Sequence, residues 1–187
     1  CPHMEVAAPE RVSAETRERL RPLLRLARER GAFINFDMEQ HRYRDLVHRT
    51  FEDLLSEPEF ADFADVGIVV QAYLRDAEDD LARLRAFAER RDAPFSVRLV
   101  KGAYWDEEVI VADQNSWPVP VYEEKAETDA CFERCTDALL AAWPHLRPAF
   151  GTHNPRSAAQ AVVKARAAGV PGAAVEFQVL YGMAEGL

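Results

Sequence analysis

Short apolar runs of strand-forming residues alternate along this chain with longer segments of helical periodicity, and no tight hairpin turn joins any two of the runs. That pattern fixes the handedness and direction of what can form, because strands separated by helices pair in parallel. Residues 13–30 read as a helix, with Leu20, Leu23, Leu24 and Ala27 at helical spacing and Gly31 as its stop. Pro22 is expected to kink that helix or to mark a restart. Residues 32–36 form a short apolar run that ends at Asp37, and the next helix carries Tyr43, Leu46, Val47, Thr50 and Leu54 on one side. Residues 67–73 give the clearest strand; Asp76 then caps a helix whose buried face is Leu81, Leu84 and Phe87. Residues 95–100 are the third strand. A long irregular stretch follows, from Lys101 to about Glu123, with Trp117-Pro118-Val119-Pro120 inside it. Loops of that length in a compact domain are usually functional. A helix from about Glu124 to Ala142 leads to the fourth strand, residues 147–152. Asn154 followed by Pro155 is a strong helix start, Gly169 a stop, and residues 173–180 are the fifth strand.

Two architectures take successive βα units, the doubly wound sheet and the (βα)8 barrel. A doubly wound dinucleotide-binding sheet needs a glycine-rich turn after its first strand. None is present, no Walker-type phosphate loop occurs, and the whole chain holds only 8 glycines. The expected fold class is therefore α/β: part of a TIM-type (βα)8 barrel with about five parallel strands, adjacent and in sequence order. Its two edges, near Ile34 and Phe177, would be unpaired and prone to association, so an oligomer or a covering partner chain is expected.

Composition narrows the function. A formal net charge of −9 argues against a nucleic-acid surface, which needs clustered cations. No apolar run reaches the roughly 20 residues of a membrane helix, and no secretion signal opens the chain. The three cysteines, Cys1, Cys131 and Cys135, show no disulfide spacing. Cys131 and Cys135 lie four apart on one helix face, and they read as buried structural thiols.

The polar residues sit at one end of each strand, where barrel active sites lie. The strands end in turn at Asp37, at Gln71, at Arg98 and Lys101, at Thr152, His153 and Asn154, and at Glu176 and Gln178. Any one of them could be a hydrogen-bonded structural residue, but parallel strands are otherwise nearly all apolar, so the set points to a site. No Ser or Cys stands at a strand end beside His, which disfavours a nucleophilic triad. Asp37, His153 and Glu176 could hold a metal, although the neighbouring cations Arg98 and Lys101 oppose one. Those cations suit an anionic ligand such as cofactor phosphates, and Lys101 alone could form a Schiff base.

The run Val97-Arg98-Leu99-Val100-Lys101-Gly102-Ala103-Tyr104-Trp105 resembles the signature of the proline dehydrogenase family, as found in bifunctional proline utilization A proteins. Asn35 to Glu39, Val70 to Tyr73, Thr152 to Asn154, and Glu176 to Gln178 with Gly182-Met183 resemble the family's other motifs, in the same order. The resemblance implies a distorted barrel holding FAD, with hydride passing from L-proline to flavin N5 and electrons then to a membrane quinone. It implies catalytic roles for Asp37 and Arg98, and Leu99 and Tyr104 packing on the proline ring. It implies FAD contacts from Gln71, Arg98, Val100, Lys101, Gly102, Ala103, Trp105, Lys125, Thr128, Thr152, His153 and Asn154. Gly102 would let backbone approach the cofactor. The chain departs from many relatives at Tyr181, where they carry His, and at Glu123 and Glu124, where some carry Thr and a cation.

In that family, a substrate Lys precedes the first of these motifs and a paired Arg follows the last. The chain starts at Cys1 and stops at Leu187 without either, so it is expected to be a fragment lacking the first strands and the last strand and helix, and inactive alone. The Arg90-Arg91 pair ends a helix and is expected to be solvated. The resemblance also allows an aldehyde dehydrogenase domain on the parent chain, and places the protein in the cytoplasm, peripheral to the inner face of the membrane. A Schiff-base lyase or aldolase using Lys101, and a non-catalytic module that keeps the motifs, are the alternative readings.

Overall fold

The computed structural model describes residues 8–91 and 93–183. Cys1 and the last residues, 184–187, on which two of the expectations above fall, lie outside the described residues. In order the elements are α1 (Pro9–Arg30), β1 (Ile34–Phe36), α2 (Arg44–Leu55), β2 (Val66–Gln71), α3 (Ala77–Arg91), β3 (Phe95–Val100), α4 (Trp105–Asn115), α5 (Lys125–Ala141), β4 (Leu146–Gly151), α6 (Pro155–Ala167) and β5 (Glu176–Gln178). The five strands form one sheet in the order β1-β2-β3-β4-β5, and every neighbouring pair is parallel. An isolated antiparallel bridge, Leu74 to Val121, lies outside the strands. The expected succession of βα units is thus present.

Alternation along the strands divides the sheet into two faces. Val66, Ile68 and Val70 of β2, Phe95, Val97 and Leu99 of β3, and Leu146 and Phe150 of β4 are buried against the helices. They meet Leu24 of α1, Phe51 and Leu54 of α2, Leu84 and Phe87 of α3, and Phe132 and Leu139 of α5 in one cluster. Phe51 is its hub, with ring centroids 5.1 Å from Phe36, 5.0 Å from Phe95 and 6.3 Å from Phe87, all edge-on. Cys131 and Cys135 are buried in the same cluster, as expected, with sulfurs 3.8 Å apart.

Three sequence expectations are corrected. The first helix starts earlier, at Pro9, and runs as one element through Pro22 without a restart. Its outer turns are tied down elsewhere, by Arg21 to Glu57 at 2.7 and 2.8 Å and by Arg25 to Glu59 at 2.6 and 2.8 Å. Leu24 and Ala27 are buried beyond the proline, so packing outweighs the one lost backbone bond. Second, the stretch after β3 is not irregular throughout: it contains α4. Only Glu108 and Ala112 of that helix are buried, so it lacks the apolar stripe that periodicity detects. Third, Arg91 is not solvated. Its Nη2 donates to the carbonyls of Phe60, at 2.8 Å, and Phe63, and burial lowers its pKa to about 10.

Beneath α2 and α3 lies a buried polar group. Arg44 Nε donates to Asp80 Oδ2 at 2.9 Å, its Nη2 lies 2.6 Å from Oδ1, and the His48 ring lies 3.7 Å from the same carboxylate with no exposed surface. Burial depresses the His48 pKa below its ordinary value, against the pull of Asp80. A depressed histidine contributes its stability above the unfolded-state pKa of about 6.5 and loses it as pH falls, because the unfolded chain takes up the proton first. Urea unfolding between about pH 7.5 and 5.5 should show stability falling with pH, with a shallower slope in His48→Asn; an unchanged slope would assign the pH dependence to other groups.

Candidate active site

The second face of the sheet builds the site. Its cross-strand rows follow from the register: Asn35, Gly67, Ser96 and Arg147; then Val69, Arg98, Ala149 and Glu176; then Gln71, Val100, Gly151 and Gln178. The last two rows, with the turns that follow them, surround a cavity of about 890 Å³. That volume lies in the range of sites for cofactor-sized molecules.

Most residues expected from sequence converge here. Asp37 and Gln71 line the cavity from β1 and β2. Arg98 and Val100 line it from β3, and Lys101, Gly102, Ala103 and Tyr104 from the turn after β3. Thr152, His153 and Asn154 close it after β4, and Lys125 reaches it from α5. Four expected residues do not line it, one being Glu176, which is exposed and accepts from Gln178 at 2.9 Å. Leu99 is fully buried in the core, because it alternates with Arg98 and Val100 and faces the helices. Trp105 opens α4 and donates its indole N–H to the Tyr122 carbonyl at 2.8 Å. Thr128 lies on α5, half-buried and away from the lining.

Arg98 is the centre of the polar network. Its Nη2 donates to Asp37 Oδ1, and its Nη1 donates to Gln178 Oε1 at 3.3 Å. Asn35 donates to the same Asp37 oxygen at 2.6 Å. Gln71 is buried and spends its Nε2 on the carbonyls of Glu39, at 2.6 Å, and Met38, at 3.0 Å. Its carbonyl is therefore the end left for a ligand. Asp129 bridges two cations, accepting from Lys101 at 2.5 Å and from Lys125 at 2.6 Å, and its pKa is lowered by both ammonium groups against the effect of burial. Tyr104 has its phenol pKa raised, chiefly by the negative charge of Glu39 and then by burial.

After β4, Thr152 Oγ1 accepts from Asn154 N at 3.1 Å, and Asn154 Oδ1 caps α6 by accepting from Arg156 N at 3.0 Å and Ser157 N at 3.3 Å. The Asn-Pro start predicted from sequence is thus present. His153 Nε2 accepts the Leu180 N–H at 2.9 Å, which sets the ring proton on Nδ1. Residues of the site that sequence reasoning did not assign to it are Met38, Glu39 and Asp129, whereas Gln178 lines the cavity at the end of the fifth strand, where it was expected. The spacing of Lys125 and Asp129, four apart on a helix, was the available signal for one of them. Among the described residues, no group of three or more His, Cys, Asp or Glu is placed to hold a metal.

Residues 2–187 match the family model for proline dehydrogenase. The chain belongs to the proline dehydrogenase family. It is 36% identical over 187 residues to the bifunctional protein PutA of Escherichia coli K12, all of this chain but 14% of that protein. It is 31% identical over 163 residues to the proline dehydrogenase of Deinococcus radiodurans, 87% of this chain and 46% of that protein. Among solved structures, proline utilization A from Bdellovibrio bacteriovorus, inactivated by N-propargylglycine, superposes with a TM-score of 0.95 at 49% identity. That match covers 97% of this chain and 19% of the neighbour. Proline utilization A from Corynebacterium freiburgense superposes at 0.93, with 36% identity over 98% of this chain and 20% of the neighbour. The chain therefore spans well under a fifth of the bifunctional curated relative, and its fold is that of their proline dehydrogenase domains.

Gly102 is the tightest backbone position of this site. Its φ is +128°, and a Cβ there would lie 2.4 Å from the Tyr73 ring. The glycine thus serves packing against Tyr73, whose N–H in turn donates to the Lys101 carbonyl at 2.7 Å. Gly102→Ala should cost about 1–3 kcal/mol in urea unfolding from backbone strain alone. An unchanged midpoint would mean the turn adopts another conformation.

Proposed function

We propose that this chain supplies the flavin face of an enzyme that oxidises L-proline to 1-pyrroline-5-carboxylate, with FAD as the cofactor and a membrane quinone as the final acceptor. The observation that carries the reading is Arg98, a guanidinium fixed in the centre of the cavity by groups from both edges of the sheet. FAD, when bound, supplies the hydride acceptor. The residues fit such a ligand: two ammonium groups on one carboxylate post face its phosphates, and a long, partly apolar floor takes its rings. Gly102 and Ala103 leave backbone at the surface of that floor.

Each side chain then has a task. Arg98 holds a fixed positive charge where negative charge develops during the transfer. Asp37 keeps that guanidinium in place and faces the substrate. Gln71 presents its carbonyl, and Thr152, His153 and Asn154 form a preset polar wall. Tyr104 packs beside the substrate, its proton held by the acidic surroundings. The Bdellovibrio neighbour is inactivated by N-propargylglycine, an N-substituted amino acid, and this cavity is proposed to accept the same chemical class. The carboxylate of proline needs a cation of its own. Lys101 and Lys125 are held on Asp129 and Arg98 on Asp37, so we assign that cation to parts of the parent chain outside these residues. The small share of the bifunctional relatives that this chain covers supports the assignment. A membrane quinone as acceptor would put the site at the inner membrane face; among the described residues, no helix is long and apolar enough to cross a membrane. The Schiff-base reading is not favoured: the chain belongs to the proline dehydrogenase family, and Lys101 donates to the Asp129 carboxylate.

The test is anaerobic flavin reduction by L-proline in the longest natural chain that contains these residues. Arg98→Met should slow reduction about a hundredfold, as losing one such group typically does, with proline affinity little changed. An unchanged reduction rate would remove Arg98 from the chemistry.

A further inference from the structure

The support of Arg98 on the side away from Asp37 is a glutamine whose orientation is itself determined. Gln178 lies at the end of β5, paired with Gly151, and its backbone carbonyl accepts the Thr152 N–H at 3.3 Å. Its side-chain Nε2 donates to Glu176 Oε1 at 2.9 Å, and its Oε1 accepts from Arg98 Nη1 at 3.3 Å. A carboxylate can only accept and a guanidinium can only donate. An amide placed between them therefore has one orientation that satisfies both. The route to it is kept open by small residues: Ala149 and Gly151 separate β3 from β5 in these rows, and the Arg98 stem lies 3.7 Å from where a Cβ on Gly151 would be. Arg98 thus passes over β4 and ties the central strand to the edge strand.

We propose that Gln178 is a positioning residue for Arg98, with Glu176 setting the direction of its amide. The proposal rests on the reading of Arg98 as the cation of the flavin site, which it deepens. Asp37 and Gln178 grip the two terminal nitrogens from opposite edges of the sheet, so the plane of the guanidinium is defined and not only its location. With Gln178 absent, the guanidinium keeps its ion pair but gains rotation about it. Its charge then averages over several orientations instead of acting on one atom. Glu176 acts one step further back: without its carboxylate, Nε2 can turn toward Arg98, donor against donor.

Two readouts test this. The first needs no cofactor: modification of Arg98 by phenylglyoxal in the flavin-free protein, followed by peptide mass mapping. Gln178→Leu and Glu176→Gln should each raise the labelling rate several-fold, and the double variant should exceed Gln178→Leu by nothing, since Glu176 acts through Gln178. The second is single-turnover flavin reduction by proline in the same natural chain. Gln178→Leu should lose roughly tenfold, the low end for a hydrogen bond to a charged group, at unchanged proline affinity. In an Arg98→Met background the same substitution should have no further effect, which a general packing role would not produce. Unchanged labelling in both single variants overturns the proposal whatever the wild type does with proline. Altered labelling with a wild type that proline does not reduce leaves the positioning intact and refutes the proposed reaction.

Discussion

In a parallel sheet covered by helices, successive side chains must leave the backbone on opposite faces, and this alternation governs β3. Val97 and Leu99 enter the helix-packed core, so Ser96, Arg98 and Val100 take the other face, where Arg98 and Val100 reach the cavity. A slip of one residue would bury a guanidinium among Phe51, Phe132 and Phe150. Those aromatic rings offer a guanidinium no carboxylate, and an uncompensated buried charge costs several kcal/mol. The apolar face therefore specifies the polar one: the same packing that stabilises the fold holds Arg98 at the mouth of the sheet.

The neighbouring strands make room for what β3 presents. Arg98 stands in a row with Val69 and Ala149, and Val100 with Gly151, where a Cβ would come within 2.8 Å of the valine. Small residues on β4 let a long side chain lie across the sheet instead of standing away from it. Electrostatics complete the arrangement. On a chain of net charge −9, the cavity gathers Arg98, Lys101 and Lys125, and each is held by a carboxylate, Asp37 or Asp129. Such pairing fixes the direction of each cation while leaving donors for an anionic ligand.

The sequence made the sheet legible because its interior strands are long and apolar. β3 was read to the residue, and β2 and β4 to within two residues at either end. The edge strands β1 and β5 each keep only three residues in the ladder, since an edge has one partner and frays where the turn begins. Helix α4 was invisible because its buried face holds only Glu108 and Ala112 and no apolar stripe. The strand-end residues except Glu176 line the cavity, which is where barrel geometry directs attention. Leu99 was misplaced because the resemblance was carried over as a contiguous run, and alternation within β3 was not applied to it. Asp129 acts through Lys101 and Lys125 and lies in none of the motifs, whereas Gln178 stands at a strand end and inside one of them. Arg91 looked like a surface cation because sequence does not show the carbonyls of Phe60 and Phe63 that it reaches.

The division of β3 into a packing face and a chemical face is tested most directly by Leu99→Ala. Proline-driven flavin reduction should be measured per folded, flavin-loaded molecule, beside urea unfolding of the same sample. A stability loss of about 2–5 kcal/mol, as for other buried leucines, with unchanged reduction kinetics and proline affinity, is the expected result. Weakened proline binding at unchanged stability would put Leu99 against the substrate and contradict the assignment of the two faces.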